Sequence, residues 1–197
     1  MKAYYDARAP EYDDWYYGSG QFGGVARPGW DEELRTLAAA LAAVPAARTL
    51  DVACGTGFLT RHLRGAVTGL DQSGAMLAEF ARRVPDAATV RADALAPLPF
   101  PDDAFERLVT GHFYGHLRPH ERVAFVREAR RVAGELFVVD SALREDVEPE
   151  GVQERVLQDG SRWSVYKRYF EPAELAAELG GGAVVHAGRW FVAVRCP

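Results

Sequence analysis

Apolar positions along the chain alternate between two rhythms. Trp30, Leu34, Leu37, Ala38 and Leu41 recur at helical spacing, and Pro45 closes that segment. Residues 49–53 then read as a short buried strand that runs into Cys54-Gly55-Thr56-Gly57, and residues 58–63 are expected to begin a helix directly from the glycines. Residues 66–71 form the next strand. Ser73 is a good N-cap for a helix whose apolar face is Met76, Leu77, Phe80 and Val84 and which stops at Pro85.

The alternation continues through a strand at 88–92, a proline-rich loop at 97–103 and a strand at 105–110. Pro119 suits the first turn of a helix running to about Val132. The strand at 135–140 is apolar enough to be buried on both faces. Residues 152–157 and 162–170 flank the Asp159-Gly160 turn signal and read as a hairpin, with no indication of which face looks inward. A helix at 172–179 and strands at 183–186 and 190–195 end the pattern. Alternating strands and helices predict an α/β fold: a doubly wound, mostly parallel sheet of seven strands. The last pair, joined without a helix, must be antiparallel.

Composition narrows the function. The 197 residues suit one domain, expected to span the whole chain, with residues 1–29 as an N-terminal lid and 141–170 as a hairpin insertion covering the substrate. A net charge of −5 argues against a nucleic-acid partner or an anionic membrane surface. The acidic, aromatic start is unlike a signal peptide. Two cysteines, Cys54 and Cys196, suggest neither a disulfide framework nor a zinc site, so a reduced cytoplasmic setting is expected, as monomer or homodimer.

The strongest chemical signal is Asp51-Val52-Ala53-Cys54-Gly55-Thr56-Gly57, placed between a strand and a following helix. Glycines there let the backbone approach a ligand. Twenty residues on, Asp71 ends the second strand, where an acid commonly binds ribose hydroxyls. A nicotinamide site is the alternative, and an NAD(P)-linked oxidoreductase stays open. Against it, Phe58 and Leu59 stand where a third glycine is needed, and Asp51 would repel a pyrophosphate while welcoming an ammonium or sulfonium group.

These motifs, in this order, resemble the class I S-adenosylmethionine (SAM)-dependent methyltransferases of the quinone and small-metabolite group. Residues 50–57 resemble that family's first motif, with Ala53 where glycine is commoner. Leu70-Asp71-Gln72-Ser73 resembles the second, and Arg91-Ala92-Asp93-Ala94-Leu95 the adenine-binding turn. Tyr5, Asp6, Ala9, Tyr12 and Asp13 match the opening seen in many members. The resemblance spans roughly residues 1–140 and implies a Rossmann-like fold with SAM as cofactor. It implies that Asp51 approaches the methionine ammonium, that Ala53, Cys54 and Gly55 lie against the cofactor by backbone, and that Asp71 and Gln72 bind the ribose and adenosine. Asp93 and Ala94 would hold adenine, Gly111 or His112 would offer a carbonyl, and Tyr5 and Tyr12 would cover the site.

His112, Tyr114, His116 and His120 form a second cluster. Gly115 and Pro119 interrupt any helix that could present the histidines on one face, so no metal site is expected. His112 and His116 are instead candidate bases for an oxygen or nitrogen acceptor, with a rate expected to rise through an ordinary imidazole pKa of roughly 6–7. The expected function is methyl transfer from SAM to a small-molecule acceptor, aromatic or quinone-like. A SAM-binding protein without transferase activity is the third reading.

Overall fold

The structure is a computed structural model and describes residues 2–197. Seven strands form one sheet: β1 (Thr49–Val52), β2 (Val67–Asp71), β3 (Ala88–Arg91), β4 (Phe105–Gly111), β5 (Ala133–Ser141), β8 (Ala183–Ala187) and β9 (Phe191–Cys196). Their order is β3-β2-β1-β4-β5-β9-β8, and β9 alone runs antiparallel to its neighbours. Between them, β6 (Glu150–Val156) and β7 (Arg162–Arg168) form a separate two-stranded sheet, the hairpin signalled by Asp159-Gly160. The strand order reverses between β1 and β4, which opens a crevice at their carboxyl ends.

Helices cover the sheet for reasons visible in the residues. In α3 (Trp30–Ala43), Trp30, Leu37 and Leu41 pack on Val109, Phe137 and Val139. On the other face, Phe125, Ala129 and Val132 of α5 (Pro119–Val132) pack on Leu50, Leu108 and Leu136. Helix α5 starts at Pro119, and Glu121 accepts from the Arg118 backbone N–H at 2.6 Å. In α4 (Gly74–Arg83) the Ser73 hydroxyl accepts from Met76 N at 3.1 Å. Leu136 through Val139 are at most 1% exposed, sandwiched between β4 and β9; each such burial contributes about 1.5–3 kcal/mol.

One local expectation fails. Residues 58–63 form no α-helix, only a 3-10 turn at Thr60–His62. Gly57 and Gly65, both at positive φ, bracket a connection that must reach β2 by Val67, so no room exists for two helical turns. The first glycine loop therefore has no long helix behind it.

The N-terminal segment, α1 (Lys2–Arg8) and α2 (Asp14–Tyr17), lies over the crevice and touches the hairpin. Tyr4, Leu157 and Val165 form a small hydrophobic cluster of their own, with Tyr5 and Trp163 against it. Trp163, Val165 and Lys167 are thus the inward face of β7 that the sequence left open.

Candidate functional site

The crevice begins where β1 ends. Ala53, Gly55 and Gly57 have φ of 56°, 55° and 75°, so the chain folds back tightly in front of the sheet. Asp71, at the tip of β2, fastens this loop: its Oδ2 accepts from Gly55 N at 3.0 Å and its Oδ1 from Ser73 N at 2.8 Å. Burial raises the Asp71 pKa despite those bonds. Asp51 is buried beneath the loop and accepts from the Thr60 hydroxyl. Burial pushes its pKa up to about 7, the Thr60 bond opposing and the Asp71 charge adding.

A cavity of about 260 Å³ occupies the crevice, walled by Ala53, Gly55, Asp71, Gln72, Asp93, Ala94 and Gly111, with Met76, Phe113 and Leu117 as apolar surface. A small extension reaches Asp51, Cys54 and Thr60. Asp71, Asp93 and Glu121 line the main part, and among the described residues no lysine or arginine does. Such a set suits a cationic ligand with a diol and an aromatic base, and disfavours a pyrophosphate.

Beyond it lies an outer cavity of about 340 Å³ between the N-terminal segment and the hairpin. Its lining carries Arg8, Arg27, Arg144, Arg155 and Lys167 against a single carboxylate, Glu154, which pairs with Arg162. Tyr5, Tyr12, His112 and His116 belong to both cavities and form their common wall.

The residues of this wall are unusual. His112 sits at φ 55°, a strained conformation for a histidine, and neither ring nitrogen has a hydrogen-bond partner. Burial lowers its pKa to about 4, Asp140 partly opposing and Lys167 adding. His116 lies in a 3-10 turn, Tyr114–His116, and its Nδ1 is 2.7 Å from the Tyr166 carbonyl. A carbonyl only accepts, so Nδ1 carries the proton and Nε2 keeps its lone pair. Burial, then Lys167, lowers the His116 pKa to about 3. Behind this wall the Lys167 ammonium pairs with the fully buried Asp140, which also accepts from Gly115 N at 2.7 Å. Burial, the largest influence, would raise the Asp140 pKa, but the Lys167 charge and hydrogen bond, with the Gly115 amide, help to reverse it, and the carboxylate is held low.

Residues 49–135 match the model of the methyltransferase domain family. Among solved structures, the chain is similar to the DhpI–SAM–HEP complex at 30% identity, covering 99% of this chain and 95% of that one with a TM-score of 0.77. The chain belongs to the class I SAM-dependent methyltransferases. The DhpI–SAH complex is similar at 28% identity, over 99% and 93% of the two chains, with a TM-score of 0.73. A trans-aconitate 2-methyltransferase from Methylobacterium nodulans is 38% identical over 113 residues; the match spans 52% of this chain and only 42% of that relative's length.

In this methyltransferase, the residues expected to hold the cofactor come together. Tyr5, Tyr12, Ala53, Gly55, Asp71, Gln72, Asp93, Ala94, Gly111 and His112 share the crevice, and Asp51 and Cys54 its extension. Asp93 also closes its own turn, accepting from Leu95 N at 3.0 Å. His112 and His116 line the wall between the two cavities, and burial takes both out of the pKa range of 6–7 anticipated for a base. The cations of the outer cavity were missed. They come from distant segments, and nothing in their local sequence marks them. No helix among the described residues is long and apolar enough to cross a membrane.

Proposed function

We propose that this methyltransferase moves the methyl group of SAM to a small, negatively charged acceptor held in the outer cavity. One observation carries the reading: two cavities of opposite charge meet at a single wall, acids on the side of a cationic donor and cations on the other. The fit of the crevice to SAM rests on residues of the chain. Asp51 would face the ammonium, Asp71 and Gln72 the ribose, and Asp93 with Ala94 the adenine, while the tyrosines of the N-terminal segment act as a lid. Bound there, SAM supplies an electrophilic methyl on a sulfonium.

The chain's own residues then align, exclude water and balance charge. Tyr5 and Tyr12 roof the meeting point, and burial keeps both phenols protonated by raising their pKa values. His112 and His116 are neutral, and His116 Nε2 is a hydrogen-bond acceptor at the wall. An acceptor that arrives ionised needs no base from them. The trans-aconitate in the name of one relative supports a small-molecule acceptor. Trp15, Trp30 and Tyr169 in the lining support the aromatic acceptor expected from the sequence, provided that its ring bears an acid group. A neutral quinone would leave Arg8, Arg27 and Arg155, which have no carboxylate partner among the described residues, unanswered.

The test is calorimetry with S-adenosylhomocysteine (SAH) against NAD, followed by turnover on carboxylic and phosphonic acids beside neutral quinones and phenols. Binding of SAH and not NAD, with methyl esters from the acids, is the expected result. Turnover confined to the neutral compounds would overturn the anionic acceptor. Binding of SAH without turnover on any of them would favour a SAM-binding protein that is not an enzyme.

A further inference from the structure

Arg8 stands apart from the other cations of the outer cavity because of the helix that carries it. It follows Tyr5 by three residues and precedes Tyr12 by four, and those two tyrosines roof the crevice. Its guanidinium donates to the Tyr4 hydroxyl and lies 5.6 Å from the Tyr4 ring centre and 5.0 Å from that of Tyr12. Every carboxylate of its own segment is engaged elsewhere. Asp6 holds Lys2 and Ser73, and Glu11 accepts from Gln158 N at 2.9 Å through Oε2, its Oε1 being buried and paired with nothing among the described residues, Arg8 included. Asp13 holds Arg83 and Thr56, and Asp14 holds Ser19 and the Gln158 amide. Lys167 and Arg144, by contrast, have Asp140 and Asp146 as partners, while Arg27 and Arg155 hold the Trp15 carbonyl and the Gln153 amide oxygen and lie outside the helix that bears the roof.

A partly buried guanidinium with aromatic faces around it and no carboxylate of its own binds an oxyanion more strongly than a solvated one does, since most of its desolvation has already occurred. We propose that Arg8 is the anchor for the acceptor's anionic group. Through it, the acceptor holds the N-terminal helix down over the cofactor, so the two ligands strengthen each other's binding. This rests on the anionic acceptor proposed above. Linkage then requires reciprocity: the factor by which an oxyanion tightens the cofactor equals the factor by which the cofactor tightens the oxyanion. Specificity follows as well, because a neutral molecule in the same cavity would fail to close the roof.

The experiment is titration of SAH into the full chain, with inorganic phosphate or malonate added, against sodium chloride at matched ionic strength. Phosphate represents a tetrahedral oxyanion and malonate a carboxylate. In the wild type, at least one of the two should tighten SAH by fivefold or more, a typical allosteric coupling being about 5–150-fold. In Arg8→Ala the SAH affinity with either anion should equal that in chloride, and Arg8→Lys should recover part of the coupling. A wild type indifferent to both anions overturns the proposal, and so does full coupling in Arg8→Ala. Acids methylated by a wild type without coupling would remove Arg8 alone and leave the acceptor class standing. Neutral acceptors only, with no coupling, would remove both.

Discussion

The crevice is made by the sheet, whereas the outer cavity is made by what is laid over the sheet. Asp51 and Asp71 take their places from strand register, Asp51 opposite Gly69 on one side and Val109 on the other, in strands that are mostly buried. Arg8, Arg144, Arg155 and Lys167 come instead from the N-terminal helix, the segment after β5 and both strands of the hairpin. The first arrangement is hard to alter without damaging the fold. The second can change its charge and shape while the sheet stays as it is, which is how one cofactor site can serve many acceptors.

If that division is right, variants should separate cleanly. The largest effect is expected where the two regions are joined. Lys167→Ala leaves the fully buried Asp140 without its cation and should lower stability by about 3–5 kcal/mol in chemical denaturation. The double variant Asp140→Asn, Lys167→Met should lose far less, since it removes both charges. Equal losses would mean that packing, not the ion pair, ties the hairpin to the sheet.

Next, Asp71→Ala should weaken SAH by about 1–3 kcal/mol in calorimetry, because the Gly55 and Ser73 amides lose their acceptor together with the ligand. Unchanged affinity would take Asp71 out of the site.

A smaller effect follows pH. Asp51 is a neutral acid below about 7 and a carboxylate above it. A cationic ligand prefers the carboxylate, so SAM affinity should rise as pH is raised through about 7, and Asp51→Asn should abolish the rise. At saturating SAM and with an acceptor already ionised, turnover should stay level from roughly pH 6 to 8, since imidazoles with pKa values of about 4 and 3 are neutral throughout. A rate limb in that window would return a histidine to the role of base. The smallest effect is expected at Ala53, held at φ 56°. Ala53→Gly should add about 0.5–1 kcal/mol of stability by removing left-handed strain, less the flexibility that glycine introduces.

The sheet was legible because its signals are local. Short apolar runs rich in valine and phenylalanine, such as Leu136–Val139, read as buried strands, and Ser73 and Pro119 mark helix starts by their own chemistry. The crevice was legible for the same reason: Asp51, the glycines and Asp71 lie at the ends of adjacent strands, so their spacing in sequence is their spacing in the fold. The helix expected at residues 58–63 failed because propensity says nothing about how far away the next strand must begin. Arg8, Arg155 and Lys167 were illegible for a different reason. An isolated basic residue reads as solvated surface, and only tertiary contact turns three of them toward one cavity.

The small cluster of Tyr4, Leu157 and Val165 also bears on how the chain is made. Tyr4 leaves the ribosome before any strand of the sheet, yet its ring packs against Trp163, 5.8 Å away between centres and 159 positions later. Strands β1 to β5 can pair in the order of their synthesis, and Asp6 can meet Ser73 at the start of α4 early, but Tyr4 lacks Leu157, Val165 and Trp163 until the hairpin emerges. The roof of the site is thus translated before the sheet it covers and completed only after the hairpin that closes on it.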